Sequence, residues 1–486
     1  MKKAVLIVLS ALLVCVSAIS LQACARDARG VEGESRATYK LDVAVREGLD
    51  EAYLTEEVIF TNSGSETIEE LVFCLYPNAY RKDAENSAYF DNMANTISEF
   101  GGIDIGSVKV NGAESAFVTE EIWLEVPLTE KLEPDDTVTV RLGARIDIAG
   151  GTLRFGGDGK TVRLLNFYPV LAYYGESGWE RSAYSRIGDP FHTASATYEV
   201  KISAPDNVSI ATSGAQTSLV EENGVRMVEA TAADARDFAA VLSTEYSLAE
   251  TASGDVKIKY YSSGADKAEF VAKATDIFTE YFGEFPYPEF SVCESPFYYG
   301  GMEYPGLVVI NSALSDAEKE EVIVHELVHQ WIGCAVGSDG VHEGWVDESL
   351  TTFLAAYYYK LAGDESRFIS EVKDCDRQYA AFLLTEKLNS PGYVPSIARN
   401  VYEFSTLYEY DAVVYRRGCG MYASLMELAG EKKLREAITS YYERYKFADA
   451  SGEELIECFD DVLGGKARAV MYSYLNADVR TGNIGV

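Results

Sequence analysis

The sequence predicts two domains in series: an all-β domain of saddle or sandwich type, then an α+β domain in which helices dominate. Three observations carry this reading. The chain has 486 residues, more than one compact core accommodates. From about Tyr39 to Leu248 short apolar runs alternate with polar residues and are separated by turn residues. Beyond residue 250 the apolar period lengthens to that of a helix.

Leu41, Val43 and Val45 alternate with polar residues, the pattern of a strand with one buried face. Val58-Ile59-Phe60 and Leu71-Val72-Phe73 are short β-rich runs. Val108-Lys109-Val110 leads into Asn111-Gly112, a pair suited to a tight hairpin turn. Ile122 to Val126, Val138 to Leu142 and Tyr198 to Ile202 continue the series, and Val256 to Tyr261 reads as one more strand. Lys267 to Phe282 then sets Phe270, Val271, Ala274, Ile277, Phe278 and Tyr281 at helical spacing, with Gly283 closing the helix. Ser315 followed by Glu318 is a capping box, and it opens a helix that runs to about Ile332. Further helices cover about Val346 to Leu361, Lys432 to Tyr445 and Glu453 to Leu463. The predicted bodies are residues 39–250 and 251–486.

Composition is that of a folded protein, 47% hydrophobic and 24% charged. The net charge of −35 excludes phosphate-backbone binding and charge-driven adhesion to anionic lipid. Its simplest meaning is solubility.

The first residues read as an export signal. Met1, Lys2 and Lys3 form a basic start, and Ala4 to Ile19 is an apolar run of signal length. Leu21-Gln22-Ala23-Cys24 resembles the bacterial lipobox. The resemblance implies a lipoprotein signal peptide over residues 1–23, lipid on Cys24 and a tether over 24–38. It places the protein at the bacterial cell surface or the periplasmic face of a membrane. An ordinary cleavable signal with an incidental cysteine is the competing reading. The other cysteines are scattered without a C-x-x-C pair, so they declare neither a zinc site nor a disulfide framework.

His325-Glu326-Leu327-Val328-His329 lies within the capped helix. Positions i and i+4 share a helical face, so both imidazoles can reach one ion. Glu326 stands where it can act on a metal-bound water. The flanking Val322, Ile323 and Val324 make this a buried helix, and buried imidazoles need partners. A catalytic zinc takes three protein ligands and leaves a position for water. Glu348, on the next helix, supplies the third, with Asp347 and Glu343 as local competitors. Gly333, Gly337, Gly340 and Gly344 suit the reversal between the two helices.

H-E-x-x-H-x18-E resembles the gluzincin aminopeptidases, the family of aminopeptidase N and the leukotriene hydrolase. His325 to Gly333, HELVHQWIG, is similar to the family's HELAHQWFG. Gly300-Gly301-Met302-Glu303-Tyr304 resembles the G-x-M-E-N exopeptidase motif, and Tyr415-Arg416-Arg417-Gly418 resembles Y-x-K-G. Phe282 to Tyr287, Leu75 to Asn78 and Asp237-Phe238 also fit, so the resemblance covers nearly all the chain after the signal.

The resemblance implies a thermolysin-like α+β zinc peptidase domain with one zinc per chain. Glu326 would be the general base and then deliver the proton to the leaving amine. Tyr415 would donate to the oxyanion, with Tyr408, Tyr410 and Tyr422 as rivals. Glu303 would bind the α-ammonium of a peptide substrate, Gly300 and Gly301 would admit its backbone, and Met302 would line the pocket for its first side chain.

Five features depart from the pattern. Tyr304 replaces an asparagine and Arg417 a lysine, and Cys334 stands where asparagine is common. A second acidic or amide residue from the β half cannot be placed. The sequence ends soon after the predicted catalytic domain, so the large C-terminal helical domain common in the family is not expected. The sequence therefore predicts an aminopeptidase that removes N-terminal residues. Two alternatives stay open: an endopeptidase or dipeptide-releasing enzyme with the same zinc site, or a catalytically silent peptide-binding lipoprotein.

Overall fold

The computed structural model describes residues 37–84, 97–175 and 177–477. The leader, Cys24 and nearly all of the tether lie outside the described residues.

Residues 37 to 243 are built on β-sheets. The largest has eight strands, with Ala37–Val45, Glu51–Thr61 and Thr137–Asp147 through its middle. Alternate residues along these strands face the core, among them Val43, Leu54, Val58 and Val140. Ala37–Val45 also runs parallel to Ala196–Pro205, with Leu41 opposite Val200. A six-stranded, a four-stranded and a two-stranded sheet accompany it in this half. Asn111 and Gly112 have φ of 50° and 83°, the positive values a primed hairpin turn demands.

The second half starts from a five-stranded sheet. Its first strand, Ser247–Ser253, straddles residue 250, where the change of domain is read from sequence. Val256–Ser262, Glu289–Ser295 and Leu307–Asn311 run parallel to one another. Gly301–Tyr304 pairs antiparallel at the edge. The amphipathic helix Ala268–Phe282 crosses between the first two parallel strands.

The capping box at Ser315 and Glu318 opens the histidine helix, Asp316–Val328. The helix ends at Val328, earlier than the expected Ile332. Gly333, at φ 105°, turns the chain away, and residues 330 and 331 keep only short-range turn bonds. Trp331 is fully buried here. It stacks on Phe282 at 5.3 Å and meets Phe285 edge-on at 5.0 Å. The aromatic segment Phe282 to Tyr287 and the residue after the metal motif thus share one core. The glutamate helix, Trp345–Leu361, packs on the histidine helix and on Arg417–Ala429.

Candidate metal centre and its cleft

Three side chains converge at the base of a cleft. The Nε2 atoms of His325 and His329 lie 3.2 Å apart. A carboxylate oxygen of Glu348 is 3.3 Å from the first and 3.2 Å from the second. A tetrahedron with bonds of about 2.0–2.1 Å, the usual length for zinc, has edges of about 3.3–3.4 Å. The three donor atoms form one face of such a tetrahedron and leave the fourth corner toward the cleft. His329 Nδ1 lies 3.0 Å from the carbonyl of Ile332, and a proton shared there turns the Nε2 lone pair inward. Of the three carboxylates open in the sequence, Glu348 alone completes this triangle.

The electrostatics demand a cation. Glu303, Glu326, Asp347 and Glu348 are crowded around the two imidazoles. Burial, and then Glu303, push the Glu326 carboxyl well above the usual carboxylate range. Burial pushes Glu303 up to about 7. Burial works against ionisation of Glu348 too, but His329 and His325 overcome it and hold it below the usual range. Burial lowers His325, whereas the carboxylates of Glu303 and Glu348 outweigh burial at His329 and raise it. One divalent ion held between these three donors would relieve this crowding. The donor set and its spacing fit zinc.

Glu326 faces the same space. One of its carboxylate oxygens is buried without a hydrogen-bond partner. Oxygen or nitrogen atoms of Glu303, Glu326 and His329 come within 4.8 Å of one another. The edge strand Gly301–Tyr304 therefore lies directly on the histidine helix. A Cβ at Gly301 would sit 2.5 Å from Glu326 Oε1, so this close approach explains the glycine there. Gln330 clamps the same strand. Its amide donates to the Tyr304 carbonyl at 3.2 Å, and its Oε1 accepts from the Gly306 N–H at 2.8 Å.

Tyr415 lies in a π-helical turn, Asp411–Arg416, that leads into Arg417–Ala429. Such turns shift side-chain direction by one residue and recur at functional sites. Its ring stacks on His325 at 5.8 Å, and its hydroxyl donates to Glu348. Among the rivals, Tyr408 is exposed on the outside and Tyr422 is buried in the helical core. Tyr410 reaches the cleft but meets Tyr415 edge-on. The glycine of the Y-x-K-G-like segment also has a physical reason. A Cβ on Gly418 would meet Ser349 Oγ at 2.1 Å, so only glycine lets the tyrosine and glutamate helices touch. Arg417 points away from the cleft and bonds the Tyr379 hydroxyl at 3.1 Å.

Sequence reasoning missed two cleft residues. Arg154 and Asp189, both from the β half, form a buried ion pair on the cleft wall. Arg154 also donates to Met302 Sδ at 3.0 Å and so holds the methionine in place. Asp189 brings an acidic side chain from the β half to the cleft wall. Its only local signal is the turn Gly188-Asp189-Pro190. Gly300, Gly301, Met302 and Glu303 all line the cleft, but Tyr304 does not.

Residues 267–474 match the Peptidase family M1 domain. This part of the chain is similar to the M1 peptidase domain. Curated relatives agree with the assignment. Mitochondrial aminopeptidase 2 of Saccharomyces cerevisiae is 27% identical over 221 residues, covering 43% of this chain and 23% of the relative. Aminopeptidase N of Lactobacillus delbrueckii subsp. lactis is 23% identical, covering 62% of this chain and 38% of that one. This chain therefore spans well under half the length of these relatives. A crystal structure of an M1 zinc metallopeptidase from Deinococcus radiodurans shares the whole fold, at 18% identity. It superposes with a TM-score of 0.67, over 93% of this chain and 95% of that one. The β half thus belongs to a two-domain arrangement already seen beside an M1 domain.

Proposed function

We propose that this protein is a zinc aminopeptidase that hydrolyses the N-terminal peptide bond of peptides. One observation carries the reading. The Glu303 carboxylate stands beside Glu326 and His329, on the wall of the cleft that the metal triad opens into. A fixed, half-buried carboxylate at that distance suits a free α-ammonium and rejects a blocked amine. Asp189, paired with Arg154, brings a further carboxylate from the opposite domain. A Deinococcus structure that shares the fold holds a Tyr-Ser-Ala substrate, which agrees with a peptide ligand for this cleft.

His325, His329 and Glu348 would hold the zinc. When bound, zinc polarises the scissile carbonyl and lowers the pKa of its water. Glu326 would take up a proton on its unpartnered carboxylate oxygen and pass it to the leaving amine. Tyr415 turns its hydroxyl from Glu348 to the developing oxyanion. Met302, steadied by Arg154, lines the pocket for the first side chain. Gly300 and Gly301 keep the edge strand low enough for substrate backbone to lie along it. Tyr304 does not reach this space, which removes the sequence's main reason for an endopeptidase.

The test is hydrolysis of a panel of aminoacyl fluorogenic amides by zinc-loaded protein, with and without a chelator. Turnover that stops with the chelator and returns with zinc is expected. Turnover indifferent to the chelator, or none at all, would contradict the reading.

Export and lipidation belong to the same proposal. Cys24 carries diacylglycerol and tethers the enzyme at the bacterial cell surface or the periplasmic face of a membrane. Labelled palmitate should enter the wild-type chain and not Cys24→Ser.

A further inference from the structure

The chain has four histidines, and the metal triad uses two. The other two, His192 and His342, meet in one cluster at the seam between the domains. His192 Nδ1 lies 2.8 Å from a Glu180 carboxylate oxygen and 3.9 Å from Asp339 Oδ2. These three donor atoms all fall within 4.8 Å of one another. His342 Nδ1 reaches the same Asp339 oxygen at 2.6 Å. On its far side, His192 Nε2 is buried without a hydrogen-bond partner, 3.9 Å from Asp449 Oδ1.

The charges do not balance. Glu180, Asp339 and Asp449 bring three carboxylates. Arg236 pairs with Asp449. Both ring nitrogens of His192 face carboxylates, and a neutral ring carries one proton and can serve one of them. Glu180 and Asp339 bring two negative charges to the Nδ1 face of His192, and one divalent ion would cancel them. The donors are also held ready. Asp339 Oδ1 accepts from the backbone N–H groups of Val341 and His342 at 2.9 and 3.0 Å, which presents Oδ2 to the cluster. The His192 ring is stacked on Tyr173 at 3.9 Å.

We propose that Glu180, His192 and Asp339, with His342 in reach, form a second divalent metal site that fastens the β domain to the M1 domain. An imidazole among carboxylates favours zinc and its transition-metal neighbours over magnesium or calcium. Binding displaces the proton that His192 and Glu180 share in the metal-free pair. Glu180 and His192 come from the β half, Asp339 and His342 from the loop before the glutamate helix. The two loops touch, since a Cβ on Gly340 would meet the Asp189 carbonyl at 2.3 Å. The ion thus sets the spacing between Asp189, on the cleft wall, and the helix that carries Glu348. The proposal does not depend on the peptidase reading.

The test counts metal in tag-free full-length protein dialysed against zinc chloride, by elemental analysis. Wild type should hold two zinc ions per chain. His325→Ala/His329→Ala should keep one, and its melting temperature should rise by several degrees with zinc. Adding His192→Ala to that variant should abolish both the ion and the rise. Should the triad variant fail to fold, the count of two in wild type against one in His192→Ala decides. One ion per wild-type chain, or a folded triad variant that binds none, would overturn the proposal. So would a seam whose stability follows pH but not zinc, since His192 would then be a doubly protonated ring.

Discussion

The Tyr304 hydroxyl donates to Asn166 Oδ1 at 2.6 Å, across the boundary between the two domains. Asn166 is in turn held by Asp237, which also accepts from the Tyr168 hydroxyl at 2.6 Å. The tyrosine that departs from the exopeptidase motif is thus an anchor and not part of the cleft. It pins the strand carrying Glu303 to the β half. Strand alternation explains why Glu303 and Tyr304 face opposite ways.

Tyr304→Phe should therefore damage stability more than specificity. It leaves a buried amide oxygen unpaired, at a cost of roughly 1–3 kcal/mol. Denaturant unfolding should show that loss. Preference for free-amine over N-acetylated substrates should survive.

Glu326→Gln should separate metal binding from chemistry. Its kcat should fall by roughly 10²- to 10⁴-fold. Zinc content should stay at the wild-type level. His329→Ala should lose the triad zinc and the activity together. Metal analysis beside initial rates distinguishes the two.

Gly418→Ala probes the contact between the glutamate and tyrosine helices. The added methyl collides with Ser349 and forces the helices apart, at roughly 1–3 kcal/mol. Glu348 and Tyr415 lie on the two sides of that contact, so kcat should drop as well. Ser349→Gly, which removes the obstructing side chain, should partly restore the alanine variant.

Much of this site was legible from sequence, for definite reasons. His325, Glu326 and His329 sit on one capped helix, where spacing alone fixes their shared face. Glu348 follows on the next helix, and Tyr415 and Glu303 came from motif resemblance. Arg154 and Asp189 were not legible, because loops far off in sequence deliver them and neither has periodicity. The direction of Tyr304 was hidden because it depends on an edge strand's register. The meeting of His192 with His342 depends on how two domains dock, which no local pattern encodes.

Asp237 should leave a mark on stability against pH. Burial pushes its carboxyl up to about 7 from an ordinary 3.8, even though Tyr168, the Phe238 N–H and Asn166 pull it down. Between those values the folded chain keeps the proton and the unfolded chain has lost it. Folding stability should then fall as pH rises from about 4 to about 7 and level off above, by an amount on the order of 4 kcal/mol. Asp237→Asn should flatten that slope in denaturant titrations across the same range. An unchanged slope would assign the loss to other groups.

The most direct measurement compares kcat/KM for aminoacyl amides with that for their N-acetylated forms, in wild type and in Glu303→Gln. The expected result is a preference of at least about 100-fold for the free amine in wild type, equivalent to roughly 2.7 kcal/mol. Glu303→Gln should lose most of it. Equal rates on free and blocked substrates by the wild-type enzyme would contradict the assignment of this cleft to an aminopeptidase.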